Sequence, residues 1–150
     1  MKLLGRGNDR LVYYIPENNT VIKYLLRKDC VANSREWELW QFVKDTDFAQ
    51  YFCPVIEYTE EGHIVMPFIQ DITAQDLWHF KNPPNVDDYL ANYGMYEGRV
   101  VIRDYSTLVP NEALLNYDNW ITATEFHLRS YKHDEGLMKD AYERLQREVA

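Results

Sequence analysis

Leu4-Gly5-Arg6-Gly7-Asn8-Asp9-Arg10-Leu11-Val12-Tyr13, followed by Val21-Ile22-Lys23, is the stretch on which the fold turns. Strand-forming residues lie on both sides of the glycines, which predicts one strand around Lys2 to Leu4 and a second over Leu11 to Ile15. Two glycines one residue apart let the backbone turn tightly and approach an anionic group with no side chain in the way. Pro16-Glu17-Asn18-Asn19 is dense in turn formers and predicts a hairpin into a third strand, Thr20 to Leu26. Alternation along that strand points the apolar neighbours of Lys23 to one face and its ammonium to the other, toward a cleft.

Outward from this opening the pattern changes period. From Asn33, with Asn33 or Ser34 as the cap, Trp37, Leu39, Trp40 and Val43 recur at helical spacing and predict a helix to about Lys44. Glu36 and Glu38 both fall in its first turns but point about 200° apart, so only one can face a given partner. Pro54 to Tyr58, the Glu60-Glu61-Gly62 turn and His63 to Pro67 predict a second hairpin. Further on, the sequence predicts a short helix over Thr73 to Phe80, a stop at Asn82-Pro83-Pro84-Asn85, and a Val-Val-Ile strand over Arg99 to Arg103. Three helices are then expected, from about Asn111, from Asn119 to Tyr131 and from Asp134 onward. The predicted class is α+β, with a small antiparallel sheet and one helix over residues 1–67 and a mostly helical remainder over 68–150.

A chain of 150 residues with 46% hydrophobic side chains supports one core and is short for two. A formal charge of −8 argues against nucleic acid and anionic membrane as partners. No apolar run approaches the roughly 20 residues of a membrane span, and the N-terminus lacks a secretory signal, so a cytoplasmic location is expected. Cys30 and Cys53 are isolated, and His63, His79, His127 and His133 show no pairing at helical spacing. No metal held by protein side chains alone is expected.

The order of the polar residues carries the functional reading. Leu4-Gly5-Arg6-Gly7, Val21-Ile22-Lys23, Asn33-Ser34-Arg35-Glu36-Trp37, Cys53-Pro54-Val55, Asn92-Tyr93-Gly94 and Val101-Ile102-Arg103-Asp104-Tyr105 follow one another across residues 3–106. On these fragments the chain resembles the protein-kinase-like fold, and more narrowly the short, phage-encoded proteins described as serine/threonine kinases.

The resemblance implies a site for ATP and Mg²⁺. Gly5 and Gly7 would cover the phosphates, Lys23 would hold them, and Glu36 rather than Glu38 would orient Lys23. Asp87 would accept a hydroxyl proton, while Asn92, five positions on, and Asp104 would hold the metal. Arg10 stands where the family's loop has a third glycine, with its cation in reach of a phosphate. The implied partners are a nucleotide and a protein substrate, in the host cytoplasm if the chain is phage-encoded.

The departures imply a second use. Val86-Asp87-Asp88 stands for the family's His-Arg-Asp, Ser106 replaces a glycine, no Ala-Pro-Glu element follows, and Phe80 to Asp87 is too short for the helix that supports the catalytic loop. They point to a catalytically degenerate, pseudokinase-like protein acting by binding a host protein. Transfer to a small molecule is a third use open to such a fold.

Overall fold

Runs of β-branched, aromatic and aliphatic residues and a turn-rich connection build β2 (Arg10–Ile15) and β3 (Thr20–Leu25), which pair antiparallel without a break from Arg10 opposite Leu25 to Ile15 opposite Thr20. They form the centre of a five-stranded antiparallel sheet in the computed structural model, which describes residues 1–7, 9–86 and 89–122. With β1 (Lys2–Arg6), β4 (Glu57–Tyr58) and β5 (Ile64–Pro67), the strands run in the order β1-β2-β3-β5-β4. The register of β1 against β2 slips between Leu3 and Gly5, so the first glycine sits at a bulge, where a residue without a side chain is tolerated.

Directly opposed residues share a face of a sheet. Val12 and Lys23, and Lys23 and Ile64, are such pairs, as are Val21 and Met66, so Val12, Val21, Lys23, Ile64 and Met66 lie on one side. Ile22 and Tyr24 lie on the other, where Tyr24 packs edge-on against Tyr13 and His63. The helix α1 (Ala32–Val43) covers the first side. Its buried stripe is Asn33, Glu36, Leu39 and Val43, so half of what it presents to the interior is polar. Trp37 and Trp40 flank the stripe, half-buried, and Trp37 stacks on Tyr58. Asn33 does not cap the helix, since its side chain is buried and engaged elsewhere.

From residue 68 onward the expectation of a mostly helical region is corrected among the described residues. Only one helical turn forms, α2 (Ala74–Leu77), set by a reciprocal capping box between Thr73 and Asp76. It ends well before Phe80, closing in tight turns from Trp78 to Gln75 and from Phe80 to Leu77. The segment expected as a helix from Asn111 is a 3₁₀ turn over Glu112–Leu115, because the Asn111 side chain accepts from Leu114 N–H and tightens the first turn. A second 3₁₀ turn, Tyr117–Asn119, is capped in the same way by Asn116. Ile121–Thr122 (β9) pairs antiparallel with Lys81–Asn82 (β6) instead of opening a helix. The rest of that predicted helix, and the one from Asp134, lie outside the described residues.

The strand predicted over Arg99 to Arg103 is β8 (Arg99–Ile102), and it pairs with β7 (Tyr93–Tyr96), which composition did not single out. Glu97 and Gly98 join them, both with positive φ, the geometry that matches the twist of a two-residue hairpin. This hairpin is sewn to the rest through a bridge between Phe52 and Ile102 and a 2.8 Å bond from Cys53 N–H to Ile102 C=O. Behind the seam, Phe52 meets Tyr105 and Trp120 edge-on, and the indole N–H of Trp120 donates to Leu114 C=O. Among the described residues no helix is long and apolar enough to cross a membrane.

Gly94 in β7 marks where backbone packs on side chain. A Cβ there would collide with Ile69 and lie 2.9 Å from Gln70 C=O, and both Gly94 and Ile69 are buried. Gly94→Ala is expected to destabilise the protein by about 1–3 kcal/mol, the usual cost of overpacking, as read from urea unfolding midpoints. An unchanged midpoint would show that β7 is not held against residues 69–70.

Candidate functional site

The buried polar stripe of α1 faces the lysine of β3. Lys23 Nζ donates to both oxygens of Glu36, at 3.1 and 3.0 Å, and to Arg103 C=O at 2.8 Å. Glu38, two positions away, is exposed. Arg10, at the start of β2, enters the same cluster from the other side. It donates to Glu36 Oε1, to Asn33 Oδ1 at 3.1 Å and to Asp104 Oδ1 at 2.8 Å. Asn33 completes the frame by donating to Lys23 C=O and Gly62 C=O, at 2.8 and 2.9 Å. Five side chains from β2, β3, α1 and the segment after β8 thus share one network.

Asp104 is held at the end of β8 by its neighbours' backbone. Ile102 C=O accepts from Cys53 N–H, Arg103 C=O from Lys23, and Arg103 N–H donates to Asn92 C=O at 2.8 Å. Tyr105, fully buried, donates its hydroxyl to Cys53 C=O at 2.8 Å. Asn92, at the end of a 3₁₀ turn, is therefore one backbone hydrogen bond from the residue preceding Asp104.

These groups border a cavity of about 790 Å³ between the sheet and the chain from residue 66 to 104. Gly5, Gly7, Lys23, Asn92 and Asp104 all line it, together with an apolar wall that includes Val12, Val21, Met66 and Ile69. Its size, apolar lining and few convergent polar groups are those of a small-ligand site. A second cavity, about 480 Å³, lies by Trp40, Phe52 and Tyr96, and its charged residues, Asp47, Glu97 and Arg99, are all exposed. Neither Gly5 nor Gly7 has a positive φ, and a Cβ on either would meet nothing within 4 Å. The fold itself does not require glycine at these positions, so what they leave is open space over the cavity.

Electrostatics follow from the packing. Burial works against the charge of Arg10, but Glu36 and Asp104 outweigh it and raise its pKa further. Burial likewise opposes ionisation of Asp104, yet the charges of Lys23 and Arg10, with the Arg10 hydrogen bond, hold its carboxyl below the usual 3.8. The Asp104 side chain keeps 42% of its surface exposed, so solvent screens that pairing far more than it screens Glu36, which is wholly buried. Cys53 lines the cavity too, but burial pushes its thiol up to about 12, which leaves it protonated and inert near neutrality.

Of the residues singled out in the sequence, Gly5, Gly7, Lys23, Glu36, Asn92 and Asp104 are brought to one cavity or to the ion cluster beside it, and Asp87 lies outside the described residues. Arg10 is corrected in direction: its guanidinium meets two carboxylates and not the cavity. Asn33 and Arg103 join the site unannounced, and only Asn33 had a legible signal, its three-residue spacing from Glu36 on one helical face. A magnesium ion on Asn92 and Asp104 would have to share the aspartate with Arg10. Arg10 already occupies Asp104 Oδ1 and would repel a divalent cation placed there.

The buried carboxylate is shared by two cations, which sets an order among substitutions. Glu36→Ala strips the buried Lys23 of its carboxylate and leaves Arg10 with Asp104 alone, and is expected to cost about 3–5 kcal/mol, whereas Lys23→Met leaves Glu36 paired with Arg10 and should cost clearly less. Equal losses in urea denaturation, or a larger loss for Lys23→Met, would contradict the shared arrangement. No model of a known protein family matches the chain, and no curated protein matches it.

Proposed function

We propose that the cavity is the nucleotide site of a kinase-like domain and that it binds ATP. The observation that carries this reading is the Lys23–Glu36 pair beside a cavity that Asp104 also lines, under a hairpin edge opened by Gly5 and Gly7. In protein kinases a lysine of the third strand is held by a helix carboxylate and contacts the phosphates beneath a glycine-rich hairpin, and an acid follows a later strand. The same kinds of groups occur here in the same order. Val12, Val21, Met66 and Ile69 supply apolar surface for a base, and Lys23, Arg6 and Arg103 supply cations for phosphates.

Two uses of such a site compete. Transfer of the γ-phosphoryl group to a protein hydroxyl would need Asp87 as base and Asp104 free to manage phosphate charge. The pairing of Asp104 with Arg10 instead favours a degenerate domain, one that binds nucleotide without transfer and acts on a protein partner, a host factor if the chain is phage-encoded. Radiolabel from γ-labelled ATP should therefore stay off both the protein itself and added acceptor proteins. Transfer that disappears in Asp87→Ala or Asp104→Ala would favour the catalytic use.

Nucleotide binding itself is tested by thermal unfolding. ATP or ADP at about 100 times its Kd should add roughly 2.7 kcal/mol of stability, a rise of several degrees for a chain of this size. Gly5→Val and Gly7→Val should leave the unliganded melting temperature nearly unchanged, because their new atoms enter open space, yet shrink the nucleotide-induced rise. No rise with either nucleotide at millimolar concentration would remove the proposal.

A further inference from the structure

We infer that this cleft takes the polyphosphate of its nucleotide without a divalent cation, and that Arg10 is the residue that makes it so. The inference rests on the nucleotide reading above and deepens it.

Two carboxylates line the cavity, and each is already matched by an arginine: Asp104 by Arg10 at 2.8 Å and Asp71 by Arg103 at 2.6 Å. Mg²⁺ is bound in nucleotide sites through one or two carboxylates together with the phosphates, and it sheds water reluctantly. At Asp104 it would have to share the carboxylate with a guanidinium that holds Oδ1, is largely buried, with side-chain exposure of 11%, is also committed to Glu36 and Asn33, and opposes a second cation by its charge. Three of the five N–H donors of Arg10 are used in these contacts, which fix it in place. Arg10 therefore cancels the one carboxylate that would otherwise repel a phosphate chain next to Lys23. The phosphates then face Arg6, with Lys23 still held by Glu36 and Arg103 still paired with Asp71, and the charge that a metal would neutralise is met by side chains.

Removing the guanidinium should reverse this. In Arg10→Gln, Asp104 becomes an unpaired carboxylate facing the phosphates, so metal-free affinity falls, and the same oxygen becomes available to Mg²⁺, which restores it. Glu36 keeps Lys23 as a partner in that variant.

The test is isothermal titration of the full chain with ATP and with ADP, in buffer containing either excess Mg²⁺ or EDTA. For the wild type, Kd is expected to agree within about threefold between the two buffers, and for Arg10→Gln to be about tenfold or more tighter with Mg²⁺. Wild-type binding that tightens about tenfold or more with Mg²⁺ overturns the inference and leaves the nucleotide reading standing. Arg10→Gln that binds equally in both buffers removes Arg10 from the explanation. Absence of binding in both buffers overturns the nucleotide reading and this inference with it. The wild-type comparison needs no variant, so it decides even if Arg10→Gln does not fold.

Discussion

One carboxylate, wholly removed from water, organises the described part of this protein. Glu36 is shared by Lys23 from β3 and Arg10 from β2, and each of these cations reaches further, Lys23 to Arg103 C=O and Arg10 to Asp104. The sheet, the helix and the end of β8 are thus registered by one charge. Desolvating such a cluster is costly, and apolar residues of similar volume often stabilise a core as well or better. Stability alone therefore does not account for the arrangement. What an apolar core would lack is Lys23 and Asp104 held in place at the wall of a cavity.

The strands and the first helix could be read from the sequence because their signals are local. Val12 to Ile15 and Thr20 to Leu25 are dense in strand formers, Pro16 to Asn19 turn, and Leu39 and Val43 keep helical period, so each element is specified within about ten residues. Elements after residue 68 were harder, because asparagines at 111 and 116 stop helical patterns within one turn, and Tyr93 to Tyr96 becomes a strand only through Arg99 to Ile102. Lys23, Glu36 and Asp104 could be proposed from order and spacing. Arg10 could not be placed in that way, because a long, flexible side chain 26 residues from Glu36 and 94 from Asp104 takes its direction from the assembled fold. Asn33 was missed for the opposite reason: asparagine near a helix start is a good cap, and that local expectation hid its membership of the buried face.

The charge of the whole chain and the charge of the cleft have opposite consequences. A net −8 repels an anionic ligand at long range, but at physiological ionic strength the field of distant carboxylates is screened beyond about 8 Å. What decides binding is then the inventory at the cavity wall, where Arg6, Lys23 and Arg103 face Asp71 and Asp104. The wall cations outnumber the wall carboxylates by one, but Glu36 behind Lys23 offsets that surplus, so it is Arg10 that leaves the balance in and around the cavity in favour of an anion instead of even. A single guanidinium outside the cavity thereby tips the balance of charge around it.

The same residue bears on how the glycine edge can behave. Arg10 begins the return strand of the β1–β2 hairpin, and its backbone closes the turn by accepting from Gly7 N–H at 2.9 Å, while Leu26 N–H bonds to Asp9 C=O at 2.8 Å. The return side of the turn is therefore tied to α1, to β3 and to Asp104, whereas nothing packs where side chains of Gly5 and Gly7 would be. Motion of the glycine edge costs no buried contact at those two positions, while motion of Arg10 would break buried ion pairs.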